Sequence, residues 1–405
     1  MNGRLPPTGN EVVVLATIPW VTVMGWTARW AASTRQDGRC HNPSESMDHE
    51  LEMGRSTITR NLVGLLVKVI ARERQQQIRD NRMFHSAEMK KSIKNIVRRG
   101  ARLVASEVKT DKSLVAQGVL WASQLRSISK IHTLADVEIS IFSQWGEDGI
   151  IEWIIQQCEG IPEKFVEFGV ENYRESNTRF LLSNRNWRGL VIDGDARYVE
   201  TIEADPISHQ RDLIAKCAFI TSDNIEQLIR EAGLAGEIGI LSIDIDGNDY
   251  WVWKAIDNVR PHIVIVEYNA VFGDLFDLVI PYDPSFERTR AHYSNLYWGA
   301  SIGAFTRLGR EKGYTLLGSN RAGSNAFFVR NDRAPRFLDM IADTAARPSR
   351  FRESRDREGG LTLLRGRARA DAIAECEVVD LAGGRSGRLD SFGELYSARW
   401  LAALD

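Results

Sequence analysis

The hydrophobic pattern of the chain is a series of short apolar runs separated by stretches with helical spacing. The runs predict five strands, at residues 165–168, 189–192, 218–221, 238–245 and 262–269. The fourth run is almost continuously apolar, which is what a strand buried on both faces of a sheet requires. Helical spacing between the runs, at 198–204, 224–232 and 250–256, predicts the strand and helix alternation of a parallel α/β sheet.

The segment after the fifth run predicts how the sheet ends. A helix is expected at 301–312, followed by strands at 314–318 and 325–330. The polar link SNRAGS between these strands is so short that they must form a hairpin. We therefore predict a mostly parallel seven-stranded sheet closed by an antiparallel pair.

A further helix is expected just before the first strand. Its apolar stripe comprises Ile150, Ile151, Ile154 and Ile155. Its polar start contains Gln144, Glu147 and Asp148, which either cap the helix or touch a ligand. Acids in a first turn complement the helix dipole, so capping is the favoured interpretation.

Acidic and small residues follow the predicted strands. Glu167 and Gly169 end the first strand, and Asp193 ends the second. A ligand at the carboxyl ends of parallel strands meets such residues, and an acid after the second strand suits a ribose diol. The fourth strand delivers Asp244 and Asp246 to the same edge.

The chain before residue 136 is expected to lie outside this domain. Residues 1–55 are interpreted as a disordered or uncertain extension, with Met47 and Met53 as alternative starts. The uncharged run 12–28 is short for a membrane-spanning helix and is interrupted by Pro19. Residues 56–135 predict a basic helical arm that either packs on the domain or on a second subunit, or rests on an anionic membrane.

Two segments later in the chain each allow two interpretations. The aromatic-rich stretch 270–298 is either a wall of the binding site or an ordered surface loop. Residues 336–405 are rich in arginine and are expected to form a solvated, partly disordered appendage. The alternative for these arginines is contact with an anionic sugar or a phosphate.

Composition excludes several classes of protein. The 405 residues are 43% hydrophobic and 26% charged, which is typical of a globular protein with one large domain and an extension, or with two domains. A net charge of -2 argues against a dedicated nucleic-acid binder. The four cysteines form no CxxC pair, so neither a zinc site nor a disulfide framework is expected, and a reducing, cytoplasmic location is the default.

Ordered motifs between residues 143 and 332 carry a family resemblance. They are SQWGEDGI, FVEFG, GLVIDGD, LSIDIDGNDYWVWKAI, IVIVEYN, GASIGAFTRLGREKGYTLLG and SNAFFVRND. In this half of the chain the sequence resembles FkbM-type S-adenosylmethionine-dependent methyltransferases. The resemblance implies a Rossmann-like class I methyltransferase fold and S-adenosyl-L-methionine as cofactor.

The resemblance also assigns residues to roles. Glu167 and Gly169 would adjoin the methionine part of the cofactor, and Asp193 would bind the ribose hydroxyls. Asp244 and Asp246 would lie beside the methyl donor, and Ser222 and Asp223 would hold the adenine. The first loop, GVENYRESNT, has no glycine after Gly169, so Glu171, Tyr173 and Arg174 crowd the place of close backbone approach. Either Asn172, Ser176 and Asn177 make polar contacts from a loop that swings away, or cofactor binding has been lost.

Methyl transfer to a hydroxyl needs positioning and a base. Asp246 and Glu267 are the acids best placed to be that base, and His292 is a more distant candidate. Asp244, Asp246 and Asp249 form an acidic group, but their glycine spacing is not that of an EF-hand, and no metal is predicted. The expected acceptor is a sugar, a glycan or a small metabolite.

Two other functions stay open. A non-catalytic binding or scaffold protein could retain the same fold with a degenerate first loop. A dinucleotide or nucleotide-sugar enzyme is disfavoured because the chain has no GxGxxG motif.

Overall fold

The computed structural model describes residues 111–404. The apolar run 12–28 and the basic helical segment 57–108 lie outside the described residues, so the predictions made for them stay predictions. Within residues 111–404, no helix is long and apolar enough to cross a membrane.

Seven strands form the main sheet, in the order β3-β2-β1-β4-β5-β8-β7. The first five strands are parallel, and β8 runs antiparallel to both of its neighbours, β5 and β7. The predicted Rossmann-like, mostly parallel sheet with a closing hairpin is therefore confirmed. The strands are β1 (Lys164–Phe168), β2 (Arg188–Asp193), β3 (Leu213–Cys217), β4 (Gly236–Ile243), β5 (Val259–Glu267), β7 (Tyr314–Ser319) and β8 (Asn325–Arg330), while β6 (Leu278–Val279) belongs to a second sheet.

Helices connect the strands and cover both faces of the sheet. Residues 111–125 are helical and precede a 3₁₀ turn, Leu134–Val137. The helices that follow are α1 (Glu147–Gln157), α2 (Ala196–Ala204), α3 (Ile207–Gln210), α4 (Ile225–Glu231), α5 (Asp249–Ala255), α6 (Arg288–Ala291), α7 (Ile302–Lys312), α8 (Ala334–Met340), α9 (Arg367–Asp371) and α10 (Ala398–Leu404).

The sheet is buried on both sides because successive residues of each central strand enter opposite cores. In β5, Val264 and Val266 pack into one cluster, whereas Ile263 and Ile265 pack into the other. Each fully buried side chain of this size contributes about 1.5–3 kcal/mol relative to an exposed one. This is why the apolar runs of the central strands are continuous rather than alternating.

The third strand was misplaced by the sequence pattern. It lies at Leu213–Cys217 rather than at residues 218–221, and its last pair in the ladder joins Cys217 to Asp193. As an edge strand it is only half buried, so its apolar pattern is weak. The stronger run that follows owes its apolar character to Ile220, which packs into the core from the loop after the strand.

The arginine-rich tail is folded onto the domain, so the expectation of a solvated, partly disordered appendage is wrong for residues 336–404. β9 (Glu377–Asp380) pairs with β10 (Arg385–Arg388) and with β6, which lies in the 270–298 loop. The apolar residues of the tail enter the core between its arginines; they include Ile373, Val378, Leu389, Phe392, Leu395, Tyr396 and Trp400. These apolar residues are widely spaced in the sequence, so they form no run or helical period that predicts their burial.

Candidate functional site

A cavity of about 510 Å³ opens at the carboxyl ends of the parallel strands. Its volume lies within the range of small-molecule sites. The strand ends contribute Glu167, Gly169, Asp193, Asp244 and Glu267 to its lining. The 270–298 loop contributes Phe286, Arg288 and Trp298, so this loop is a wall of the cavity rather than a detached surface loop.

Gly169 is the point of closest backbone approach in the site. Its φ is +70°, in the left-handed region, and a Cβ at this position would lie 1.5 Å from the carbonyl oxygen of Asp244. Only glycine fits, because any side chain would collide with the backbone that follows β4. The ends of β1 and β4 are thereby held against each other.

Glu167 organises the loop that follows β1. Its carboxylate accepts hydrogen bonds from the backbone N–H groups of Asn177 (2.8 Å) and Thr178 (3.2 Å) and from the hydroxyls of Ser176 and Thr178. The side chain is 4% exposed. Burial raises the pKa of Glu167 to about 7, against the opposing effect of these hydrogen bonds.

The raised pKa predicts a pH-dependent contribution of Glu167 to stability. A carboxyl whose pKa rises from 4.5 to about 7 on folding favours the folded state fully below pH 4.5 and loses that contribution as the pH rises to 7. Between pH 4 and 7, the free energy of unfolding of the wild type should fall by about 3 kcal/mol more than that of Glu167→Gln. Urea unfolding across this range measures the difference, and parallel pH profiles would contradict it.

The first loop adopts positive φ at residues other than glycine. Glu171 and Tyr173 both adopt positive φ, at 46° and 60°, a conformation that glycine usually supplies. The Tyr173 side chain is fully buried and its hydroxyl lies 3.0 Å from that of Thr178. Arg174 turns towards Asp111 and Asp205. The expected crowding therefore does not occur, since Glu171 alone of the three suspected residues lines the cavity.

Asp193 faces the cavity from the end of β2. Its two carboxylate oxygens accept the backbone N–H groups of Glu171 (2.7 Å) and Asp195 (2.8 Å). Each oxygen keeps a further lone pair, so the carboxylate can still accept two hydroxyl groups of a ligand. Burial raises the pKa of Asp193, and the two N–H donors oppose that rise.

The structure brings Glu167, Gly169, Asn177, Asp193 and Asp244 to the cavity, but it places the other three predicted cofactor contacts outside the lining. The Asn172 side chain accepts the N–H of Arg174 in a local turn. The backbone N–H of Ser222 donates to the hydroxyl of Tyr282, and Asp223 is exposed.

The residues after β3 that line the cavity come earlier in the chain than the predicted contacts Ser222 and Asp223. Ala218, Phe219 and Ile220 line it there. Phe219 is 49% exposed, and it is an aromatic face that sequence reasoning missed. The available signal was an aromatic residue directly after a strand of the parallel sheet, but the misplaced β3 concealed it.

Three acids converge at the ends of β4 and β5. The carboxylate oxygens of Asp244, Asp246 and Glu267 lie within 4.8 Å of one another. Burial raises the pKa of both Asp244 and Glu267 well above ordinary values. The charge of Asp246 adds to the rise at both residues, and the charge of Asp244 adds to it at Glu267. Asp249, which the sequence grouped with Asp244, instead accepts the N–H groups of Ile245 and Gly247 and shapes the turn.

Arg288 is a second residue that sequence reasoning missed. It forms an ion pair with Asp246, donates from Nε to the carbonyl of Asn295 (2.8 Å) and stacks over Trp298 at 4.9 Å. Arg288 therefore brings one positive charge to the group formed by Asp244, Asp246 and Glu267. The backbone of Asp246 has a φ of +54°. No sequence motif links Arg288 to Asp246, because the two lie on separate loops.

The acids at the start of α1 serve mainly as structural anchors. Asp148 accepts the backbone N–H groups of Ile141, Phe142 and Ser143 at 2.7–2.8 Å. Glu147 accepts the side-chain amides of Asn320 and Asn325, although it also lines the cavity. Gln144 lines the cavity as well.

The lining as a whole is strongly acidic. Its cations are Arg288 and Arg369, and its acids are Glu147, Glu167, Glu171, Glu175, Asp193, Asp244, Asp246, Glu267 and Glu353. A cavity with this excess of carboxylates suits a ligand that carries positive charge.

Comparisons with known proteins give matches only among solved structures. No protein-family model and no curated protein matches this chain. The chain is similar in fold to an S-adenosylmethionine-dependent methyltransferase from Clostridium acetobutylicum ATCC 824, at 11% identity over 45% of this chain and 90% of that one, with a TM-score of 0.30. It is also similar to the O-methyltransferase from Bacillus cereus in complex with SAH, at 13% identity over 53% and 89%, with a TM-score of 0.30.

A third likeness is to the CurJ carbon methyltransferase, at 11% identity over 55% of this chain and 70% of that one, with a TM-score of 0.31. All three TM-scores are below 0.5, so these similarities assign neither a fold nor a function to this chain. The fold assignment rests on the order and directions of the strands in this chain.

Proposed function

We propose that this protein is an S-adenosylmethionine-dependent O-methyltransferase. The observation that carries the proposal is the pairing of Gly169 and Asp193 at the ends of adjacent strands, with an acid-lined cavity beside them. An all-parallel dinucleotide-binding sheet has the order 3-2-1-4-5-6. The antiparallel β8 between β5 and β7 departs from that order and supports a methyltransferase over a dinucleotide enzyme.

The residues at the cavity fit such a cofactor. Asp193 has free lone pairs for two ribose hydroxyls, and Phe219 offers an aromatic face to an adenine. Glu171 lies near Asp193 and adds negative charge for the cationic end of the ligand. When bound, S-adenosylmethionine supplies an electrophilic methyl group on a sulfonium.

The chain itself must orient the acceptor hydroxyl and take its proton. We assign the base to Glu267, because it lines the cavity at the end of β5 and because burial raises its pKa, which makes it a stronger proton acceptor than an ordinary carboxylate. Its Oε2 atom is buried and has no hydrogen-bond partner within residues 111–404. Asp246, fixed by Arg288, would position the hydroxyl. Phe286 and Trp298 add apolar surface to the same cavity.

Replacing Glu267 by glutamine tests this assignment. Glu267→Gln should lower kcat by about 10²- to 10⁴-fold, which is the usual contribution of a general base. The Kd for S-adenosylmethionine should change by less than about threefold, which is under 1 kcal/mol. Release of S-adenosylhomocysteine, followed by mass spectrometry with the first acceptor that supports turnover, measures the rate.

The matched control for this variant is Glu200→Gln, since Glu200 is an exposed acid on α2 that does not line the cavity. It should leave both kcat and Kd unchanged. Equal rates for the Glu267 and Glu200 variants would remove Glu267 from the role of base. Binding of the cofactor without turnover on any hydroxyl acceptor would favour a non-catalytic binding protein.

We also propose a family, an acceptor class and a cellular location for this protein. The ordered motifs between residues 143 and 332 support membership of the FkbM-type methyltransferases, with a sugar, glycan or small metabolite as acceptor. We propose a cytoplasmic location, from the absence of any CxxC pair and of a disulfide framework in the cysteine pattern. Homo-oligomerisation through the basic segment 57–108, or contact of that segment with an anionic membrane, is part of the same proposal.

A further inference from the structure

A second cavity adjoins the acidic one and has the opposite charge. Its volume is about 390 Å³, and it is formed by the folded tail. Ser349, Phe351 and Arg369 line both cavities, so the two share a wall. The lining of the second cavity contains arginines but no acid within residues 111–404; the arginines are Arg350, Arg352, Arg365 and Arg369.

Arg369 is the buried member of this group. It is 7% exposed, its Nε atom has no hydrogen-bond partner within residues 111–404, and its Nη1 donates one long bond of 3.4 Å to the carbonyl of Ser349. Burial, with a smaller contribution from the charge of Arg288, lowers its pKa to about 10. A buried guanidinium without a carboxylate is unfavourable, because its desolvation is not compensated by an ion pair.

The other three arginines also lack partners in the described part of the protein. None of the ion pairs or side-chain hydrogen bonds among residues 111–404 involves the guanidinium groups of Arg350, Arg352 or Arg365. A monocarboxylate would satisfy one guanidinium and leave the rest unmatched. A phosphoryl group offers several anionic oxygens, and arginine forks bind it through paired hydrogen bonds.

We propose that the acceptor of the methyl group is a phosphorylated small molecule, such as a sugar phosphate or diphosphate, whose phosphate binds Arg369 and the surrounding arginines. This inference rests on the proposed methyltransferase function, because it assigns the second substrate of the same site. The phosphate would lie in the arginine cavity, and the acceptor hydroxyl would extend past the shared wall towards Glu267. The cationic cofactor and the anionic acceptor are thereby directed to separate, oppositely charged cavities.

Calorimetric titration of the full chain with inorganic pyrophosphate tests the proposal, with acetate at equal ionic strength as the carboxylate comparison. Pyrophosphate should bind at least about tenfold more tightly than acetate. Arg369→Gln should weaken pyrophosphate binding by about tenfold or more, and Arg365→Gln, an exposed position that does not threaten folding, by severalfold.

The charge-matched control is Arg310→Gln, since Arg310 is exposed on α7 and lines neither cavity. It should change the affinity for pyrophosphate by less than about twofold, which is under 0.5 kcal/mol. Equal affinities for the Arg365, Arg369 and Arg310 variants, or acetate binding as tight as pyrophosphate binding, would overturn the proposal. Flotation on phosphatidylglycerol vesicles that both cavity variants abolish, without pyrophosphate binding, would assign the arginines to a lipid surface and also overturn it.

A parallel titration of the wild type with S-adenosylmethionine separates this inference from the function on which it rests. Cofactor binding without pyrophosphate binding would remove only the phosphorylated acceptor. Pyrophosphate binding without cofactor binding would remove the methyltransferase function, and with it the assignment of the anion as an acceptor.

Discussion

Replacing Gly169 by alanine is expected to destabilise the domain by about 2–5 kcal/mol and to abolish cofactor binding. The left-handed backbone alone costs about 1–2 kcal/mol for a residue with a Cβ. The collision of that Cβ with the Asp244 carbonyl, at 1.5 Å, adds an overpacking penalty of about 1–3 kcal/mol. Urea unfolding monitored by tryptophan fluorescence measures the first effect, and calorimetric titration with S-adenosylmethionine measures the second.

Gly160→Ala is the matched control for this substitution. Gly160 has a φ of +63°, but a Cβ at this position would have no atom of residues 111–404 within 4 Å, so the variant isolates the cost of the backbone conformation. We expect it to lower stability by about 1–2 kcal/mol and to leave cofactor binding intact. Equal losses of stability in the two variants would show that the close approach of β1 to β4 adds nothing to the cost of the positive φ.

Asp193→Asn is expected to weaken S-adenosylmethionine binding by about 10- to 100-fold. A hydrogen bond to a charged partner is worth about 1.5–3 kcal/mol, and each 1.4 kcal/mol corresponds to a factor of about ten in Kd. The amide also turns its NH₂ group towards one of the N–H donors of Glu171 and Asp195, which disturbs the first loop. Calorimetric titration measures the change, with urea unfolding as the check on folding.

Asp223→Asn is the informative control, because the sequence predicted Asp223 as an adenine contact whereas the structure leaves it exposed and outside the lining. We expect a change in Kd of less than about twofold, which is under 0.5 kcal/mol. A loss of S-adenosylmethionine affinity in Asp223→Asn as large as that in Asp193→Asn would show that Asp223 contacts the adenine, as the sequence predicted. It would contradict a cofactor site confined to the lining of the acidic cavity.

The sequence predicted the central sheet and its functional edge well, because both follow from local patterns. The run ending at Ile243 is apolar at successive positions, since the strand is covered on both faces, and Gly169 and Asp193 follow their strands directly. Such signals depend on residues that are adjacent in the chain. The same is true of the hairpin β7–β8, whose short link dictates its geometry.

Tertiary pairing decided what the sequence could not predict. β3 is a half-buried edge strand, so the loop after it gave the stronger apolar signal. The ion pair of Arg288 with Asp246 joins two loops distant in the chain. Arg369 looked like one of many solvated arginines, and its burial depends on the packing of widely spaced residues such as Tyr396 and Trp400.

The most direct test of the central claim is calorimetric titration of the folded wild-type chain with S-adenosylmethionine. Saturable binding of one cofactor per chain is expected, and Asp193→Asn should weaken it whereas Asp223→Asn should not. A flat titration with protein whose cooperative urea unfolding shows it to be folded would contradict the proposed methyltransferase function.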